Sequence, residues 1–86
     1  MKNWFVYVVR CRDGSLYTGI TTDVERRINE HNNAATAAAY TRSRRPVVLV
    51  YHECVNTRSA ALRREAQIKT MEKRDKELMI AGVRHP

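Results

Sequence analysis

The sequence predicts a small α+β domain with elements in the order β-β-α-β-α-α. Three observations carry this reading. Residues 4–9, Trp-Phe-Val-Tyr-Val-Val, form an unbroken aromatic and β-branched run, which suits a strand buried on both faces. A turn signature, Arg12-Asp13-Gly14-Ser15, follows it and leads into a second short run, Leu16 to Ile20, as in a β-hairpin. Two later stretches then pair a capping residue with helical spacing.

The elements follow in order. Gly19 lies inside the second strand, where glycine weakens pairing unless something approaches the backbone closely. Thr22 or Asp23 can cap a helix running to about Asn32. On that helix Val24, Arg27, Ile28 and His31 follow i, i+3, i+4, i+7 and share one face. Arg26 and Glu30 point elsewhere and are spaced to pair across one turn. Asn32 to Ala39 is small and polar, a loop or a short alanine-rich helix. Tyr40 to Pro46 is a basic connector. Val47 to Cys54 reads as the third strand, with Pro46 at its start. Asn56 or Thr57 can cap a helix to about Lys69. Thr70 to Ala81 reads as a further helix, with Gly82 just past its end. The domain is expected to span residues 1–83, with 84–86 as a tail.

The 86 residues suffice for one domain with a thin core. No apolar run approaches the ~20 residues that cross a bilayer, so no membrane partner is expected. The N-terminus runs directly into strand-like sequence without a signal-peptide pattern. Two cysteines, Cys11 and Cys54, make no disulfide framework, and a cytoplasmic setting is expected. The net charge is +7, from 16 basic and 9 acidic residues, with the excess in the second half of the chain. That balance favours an anionic partner, nucleic acid first.

Several polar residues stand where a core stripe should be apolar. Arg27 and His31 share the stripe of Val24 and Ile28. Their structural reading is an arginine snorkelling from the edge and a hydrogen-bonded histidine. At about 100° per residue, Glu65 falls inside the arc of Ala61, Leu62 and Ile68, with Arg63, Arg64 and Gln67 on the other side. A carboxylate there needs a partner base, Arg27 or another, or a hard cation such as Mg²⁺. Cys11, His31, His52 and Cys54 lack zinc-site spacing. There is no Walker loop and no dinucleotide-binding glycine fingerprint, so no small-molecule cofactor is expected.

Tyr7 and Tyr17 lie on either side of the hairpin turn. Side chains alternate along a strand, so loop length decides whether they meet. A two-residue loop, Asp13-Gly14, pairs Tyr7 with Ile20 and sets the phenols on opposite faces. A three-residue loop, Arg12-Asp13-Gly14, pairs Tyr7 with Gly19 and Val9 with Tyr17. Both tyrosines then share a face as diagonal neighbours, with Cα atoms roughly 7–8 Å apart, and Gly19 leaves an open floor for a ligand. Both loops are compatible with the sequence, and both tyrosines are also readable as ordinary strand aromatics.

The chain resembles a GIY-YIG nuclease domain of the small standalone bacterial type. Phe5-Val6-Tyr7 stands where the family has Gly-Ile-Tyr, and Tyr17-Thr18-Gly19 where it has Tyr-Ile-Gly. Arg27 matches the catalytic arginine of the following helix. His31 matches a position that carries His or Tyr. Glu65, in Arg63-Arg64-Glu65-Ala66-Gln67-Ile68, matches the metal-binding glutamate. Tyr40-Thr41-Arg42 and Arg44-Arg45-Pro46 resemble the connector of the standalone members. Two departures are Phe5 for the first glycine and the alanine-rich segment before Tyr40, where relatives tend to have glycines and a lysine.

The resemblance covers nearly the whole chain. It implies a three-stranded antiparallel sheet flanked by helices and an odd-length hairpin loop. It implies a metal-dependent endonuclease hydrolysing nucleic-acid phosphodiester bonds, with DNA as the expected substrate and little sequence specificity. Tyr7, Tyr17, Arg27 and His31 would be catalytic, and Glu65 would hold Mg²⁺ or Mn²⁺. Arg42, Arg44, Arg45 and Lys69 are candidates for phosphate contacts. The alternative is a nucleic-acid-binding module that keeps the fold without activity.

Overall fold

The apolar run at the N-terminus becomes the central strand of a three-stranded antiparallel sheet. In this computed structural model, which describes residues 3–82, the strands β1 (Trp4–Arg10), β2 (Leu16–Thr21) and β3 (Val48–Val55) lie in the order β2-β1-β3. The tail expected at 84–86 and its boundary at residue 83 lie outside the described residues. As the middle strand, β1 is covered on both faces, and Val6, Val8 and Val9 are fully buried. That is why its sequence does not alternate with polar residues.

The β1–β2 hairpin closes through three residues. The Cys11 amide donates to the Ser15 carbonyl at 2.8 Å, the Gly14 amide donates to the Cys11 carbonyl at 2.9 Å, and Gly14 sits at φ +85°. Only glycine takes that left-handed position without strain. Asp13 fixes the turn by accepting from the Ser15 amide at 3.0 Å. The register that results pairs Tyr7 with Gly19 and Val9 with Tyr17, so the two tyrosines share a face.

Helix α1 (Val24–Asn33) starts at Asp23, whose carboxylate accepts from the Arg26 amide at 3.0 Å. Val24, Arg27 and Ile28 are half-buried and His31 is fully buried, the face that the spacing defines. The expected Arg26–Glu30 pair does not form. Arg27 takes Glu30 instead, at 3.4 Å, because i, i+3 neighbours also meet on a helix. The alanine-rich segment turns and then gives a single helical turn, α2 (Ala39–Arg42), which adds one element to the expected order. Between Val8 and Val9 the β1–β3 pairing shifts by one residue, so β3 carries a bulge.

Helix α3 (Arg58–Thr70) is capped by the Thr57 hydroxyl, and α4 (Lys73–Ile80) follows after a break at Met71 and Glu72. The second helix boundary therefore falls three residues later than the sequence reading placed it. Gly82, at φ +75°, follows the end of α4. Val6 and Val8 meet Ala61 and Ile68 on one face of the sheet, with Met79 and Ile80 of α4 packed around them. On the other face, Tyr7, Val9, Cys11 and Val47 gather with Tyr17, Ile28 and Leu49.

Candidate active site

The register sets Tyr7 and Tyr17 on the α1 face of the sheet, and α1 delivers His31 to both. The Tyr7 hydroxyl lies 2.7 Å from His31 Nε2. The Tyr17 ring meets the His31 ring edge-on, with centroids 5.5 Å apart. Tyr7 is 1% exposed and His31 is fully buried. The three rings therefore form one contact cluster, which the two-residue loop would have broken.

Gly19 is not an open floor. A Cβ built there would fall 2.5 Å from the Tyr7 hydroxyl oxygen and 2.7 Å from its Cζ. The Tyr7 ring itself lies across the glycine, so the glycine accommodates the phenol rather than a ligand. Neighbouring Thr18 points to the other face and is buried.

Burial pushes the Tyr7 phenol up to about 12, against the pull of the Arg27 guanidinium beside it. Burial also pushes His31 down to about 4, helped by Arg27 and Arg45 and opposed by Glu30. The site at neutral pH is thus a neutral phenol bonded to a neutral imidazole. Moving the proton from Tyr7 to His31 in the free site is uphill, because burial favours the neutral form of both groups.

Glu65 sits on α3 between buried Ala61 and Ile68 and is itself half-buried, as its place in the apolar arc requires. Its charge acts on the Tyr7 phenol, raising it further. The partner base is Lys69, not Arg27, at 3.5 Å across one turn. Lys69 is 53% exposed and Glu65 19%, so this is a solvent-screened pair of small strength. Among the described residues no three His, Cys, Asp or Glu side chains cluster as a metal cage. One accessible carboxylate fits a hard cation that keeps most of its waters, the habit of Mg²⁺.

The connector arginines are engaged within the chain. The Arg45 guanidinium donates to the carbonyls of His31, at 2.5 Å, and Ala34. Those are orphan acceptors at the end of α1, so Arg45 braces that helix. Arg42 donates to the Ala35 carbonyl at 2.9 Å. Arg44 bonds Asp13 at 3.1 Å and lies over the Tyr40 ring, 3.8 Å from its centroid. Arg42 and Lys69 are exposed, and Arg44 is half-buried.

Two further residues complete the cluster. Tyr40 stacks on Tyr17, with centroids 5.9 Å apart and planes 22° from parallel. Thr41 is fully buried, with its hydroxyl 2.7 Å from His31 Nδ1. Both lie in the Tyr40-Thr41-Arg42 motif, but nothing in its spacing predicts contacts with residues from the hairpin and α1.

A family model described as the GIY-YIG catalytic domain matches residues 3–78. The chain belongs to the GIY-YIG family. A UPF0213 protein of Desulfotalea psychrophila is 62% identical over 68 residues, covering 79% of this chain and 62% of that one. A UPF0213 protein of Staphylococcus haemolyticus is 54% identical over 80 residues, covering 93% and 96%. The solution structure of a UPF0213 protein from Bacillus halodurans superposes with a TM-score of 0.59 at 42% identity, covering 92% of this chain and 83% of that one. The GIY-YIG family is a nuclease family that acts on nucleic acids. Among the described residues no helix is long and apolar enough to cross a membrane.

Proposed function

We propose that this GIY-YIG domain is a divalent-metal-dependent endonuclease that hydrolyses DNA phosphodiester bonds with little sequence preference. The observation that supports this most is the buried Tyr7–His31 hydrogen bond at 2.7 Å, with Tyr17, Arg27 and Glu65 around it. Buried polar pairs of this kind cost desolvation and are a common mark of a functional site.

Each residue then has a role. Tyr7 orients the attacking water with the lone pairs of its oxygen. It passes its own proton to His31 only as the water gives one up, since the prior transfer is too costly in the free site. Arg27 stays cationic, binds the scissile phosphate and favours phenolate as charge develops. Tyr17, held between His31 and Tyr40, steadies a phosphate oxygen. Glu65 would hold Mg²⁺ or Mn²⁺, which when bound supplies Lewis acidity at the phosphate and the leaving oxygen. Arg42, Arg44 and Lys69 contact flanking phosphates, which makes binding salt-sensitive. No base-reading element accompanies them, hence the low sequence preference. The unpaired Cys11 and Cys54 suit a reducing, cytoplasmic setting.

The test is nicking of supercoiled plasmid by the full chain with Mg²⁺ or Mn²⁺, beside EDTA and Glu65→Gln controls. Nicking that needs both the metal and Glu65 is expected. Salt-sensitive DNA binding by both proteins without nicking by either would overturn the enzyme reading in favour of a binding module.

A further inference from the structure

One direction turns every close contact in the chain behind Tyr7 into a hydrogen bond, and it begins outside the residues given catalytic roles. Thr41 Oγ1 lies 3.1 Å from the Ala38 carbonyl oxygen and 2.7 Å from His31 Nδ1. A carbonyl only accepts, so the Ala38 contact is a hydrogen bond only when the one hydroxyl proton of Thr41 goes there; given to Nδ1 instead, that proton would leave the contact unused. Toward His31 the threonine oxygen can then only accept, and Nδ1 must carry the imidazole proton. A neutral imidazole has one N–H. In that arrangement Nε2 is the bare nitrogen, and the Tyr7 hydroxyl, 2.7 Å away, donates to it.

We propose that Thr41 is a positioning residue that holds His31 as the Nδ1–H tautomer and so fixes Tyr7 as a donor to Nε2. Donating inward leaves both lone pairs of the Tyr7 oxygen for groups in the site. In the reverse arrangement, Nε2–H would donate to Tyr7, and the phenol proton would compete with a bound water. The Nδ1–H form thus prepares one nitrogen to receive the tyrosine proton. The single turn α2 has a purpose in this scheme. It brings the Ala38 carbonyl to Thr41 one turn away and sets the hydroxyl against α1. Thr41 and His31 are both fully buried, so water does not offer the ring nitrogens an alternative partner.

This inference rests on the proposed role of Tyr7 for its catalytic meaning, but its first test does not. Long-range ¹H–¹⁵N NMR of the histidines in the full, unliganded chain reports which ring nitrogen carries the proton. For His31 the expected result is a protonated Nδ1 and a bare Nε2, retained in Thr41→Ser. In Thr41→Val, which keeps the shape and loses the acceptor, the signals should shift toward the Nε2–H form. A wild-type ring with Nε2 protonated would overturn the proposal, and so would a tautomer unchanged in Thr41→Val. In a cleavage assay Thr41→Val should lower kcat by roughly 10- to 100-fold with KM little changed, and Thr41→Ser should restore most of it. A wild-type chain with the expected tautomer and no cleavage would contradict the nuclease reading and leave the tautomer assignment standing.

Discussion

Tyr7 and Val8 are neighbours on β1, both buried, and they face different kinds of interior. Val8 looks toward α3 and α4, where Val6, Ala61 and Ile68 make an apolar layer. Tyr7 looks toward α1 and α2, where the buried groups include His31 and Thr41. One side is held by area removed from water, about 1.5–3 kcal/mol for each large apolar side chain. The other keeps its polar atoms only because each finds a partner, and among the described residues no buried side-chain polar atom is left unpaired. Tyr7, Tyr17, Arg27 and His31 thus gather on the polar side, while Glu65 is carried by α3, the helix that also builds the apolar layer.

Variants on the two faces should therefore fail differently. Ile68→Ala creates a cavity in the apolar layer and should cost about 2–5 kcal/mol. Denaturant unfolding would show the loss, while cleavage per folded molecule stays close to wild type. A large drop in that specific activity would mean that Ile68 packing also sets the position of Glu65, three residues earlier on α3.

The second difference appears with pH. His31 is held at about 4 against an ordinary 6.5, so between those values the unfolded chain binds a proton that the folded chain refuses. Stability should fall as pH drops through that window, by about 3 kcal/mol in all. Tyr7 is raised from 10.0 to about 12, so above pH 10 the unfolded chain loses its proton first and stability should fall again. Urea midpoints across pH would trace both limbs. Ile68→Ala should lower the whole curve without changing the shape of either limb, whereas His31→Gln should flatten the acid limb.

The smallest effect is expected at the boundary between the faces. Gly19→Ala places a methyl against the Tyr7 hydroxyl and ring, and the overpacking should cost about 1–3 kcal/mol. Its distinguishing mark is a displaced Tyr7, read as a changed His31 signal by NMR. An unaltered His31 would show that the ring has room to yield.

The sequence revealed those parts of this arrangement that local rules control. The α1 stripe and the position of Glu65 follow from helical periodicity, and the central place of β1 follows from its unbroken apolar run. The hairpin loop was open between two lengths, because Asp13-Gly14 suits both. What decides it is the left-handed Gly14 together with the Asp13–Ser15 bond. Thr41 and Tyr40 were hidden, since contacts with His31 and Tyr17 cross from the connector to other elements and leave no periodic trace. The bracing by Arg45 was hidden for a related reason. Its acceptors are backbone carbonyls at the end of α1, and a sequence does not display which carbonyls are unpaired.

The most direct measurement is single-turnover DNA cleavage by Tyr7→Phe, with DNA affinity and urea stability measured on the same protein. The substitution removes one oxygen and leaves His31 Nε2 without its donor, which should cost about 1–3 kcal/mol of stability. The account predicts a folded protein with near wild-type DNA affinity and cleavage lowered at least about 100-fold. Cleavage within a few-fold of wild type would contradict it, because the Tyr7–His31 pair would then be a buried polar contact of the fold and not the centre of the chemistry.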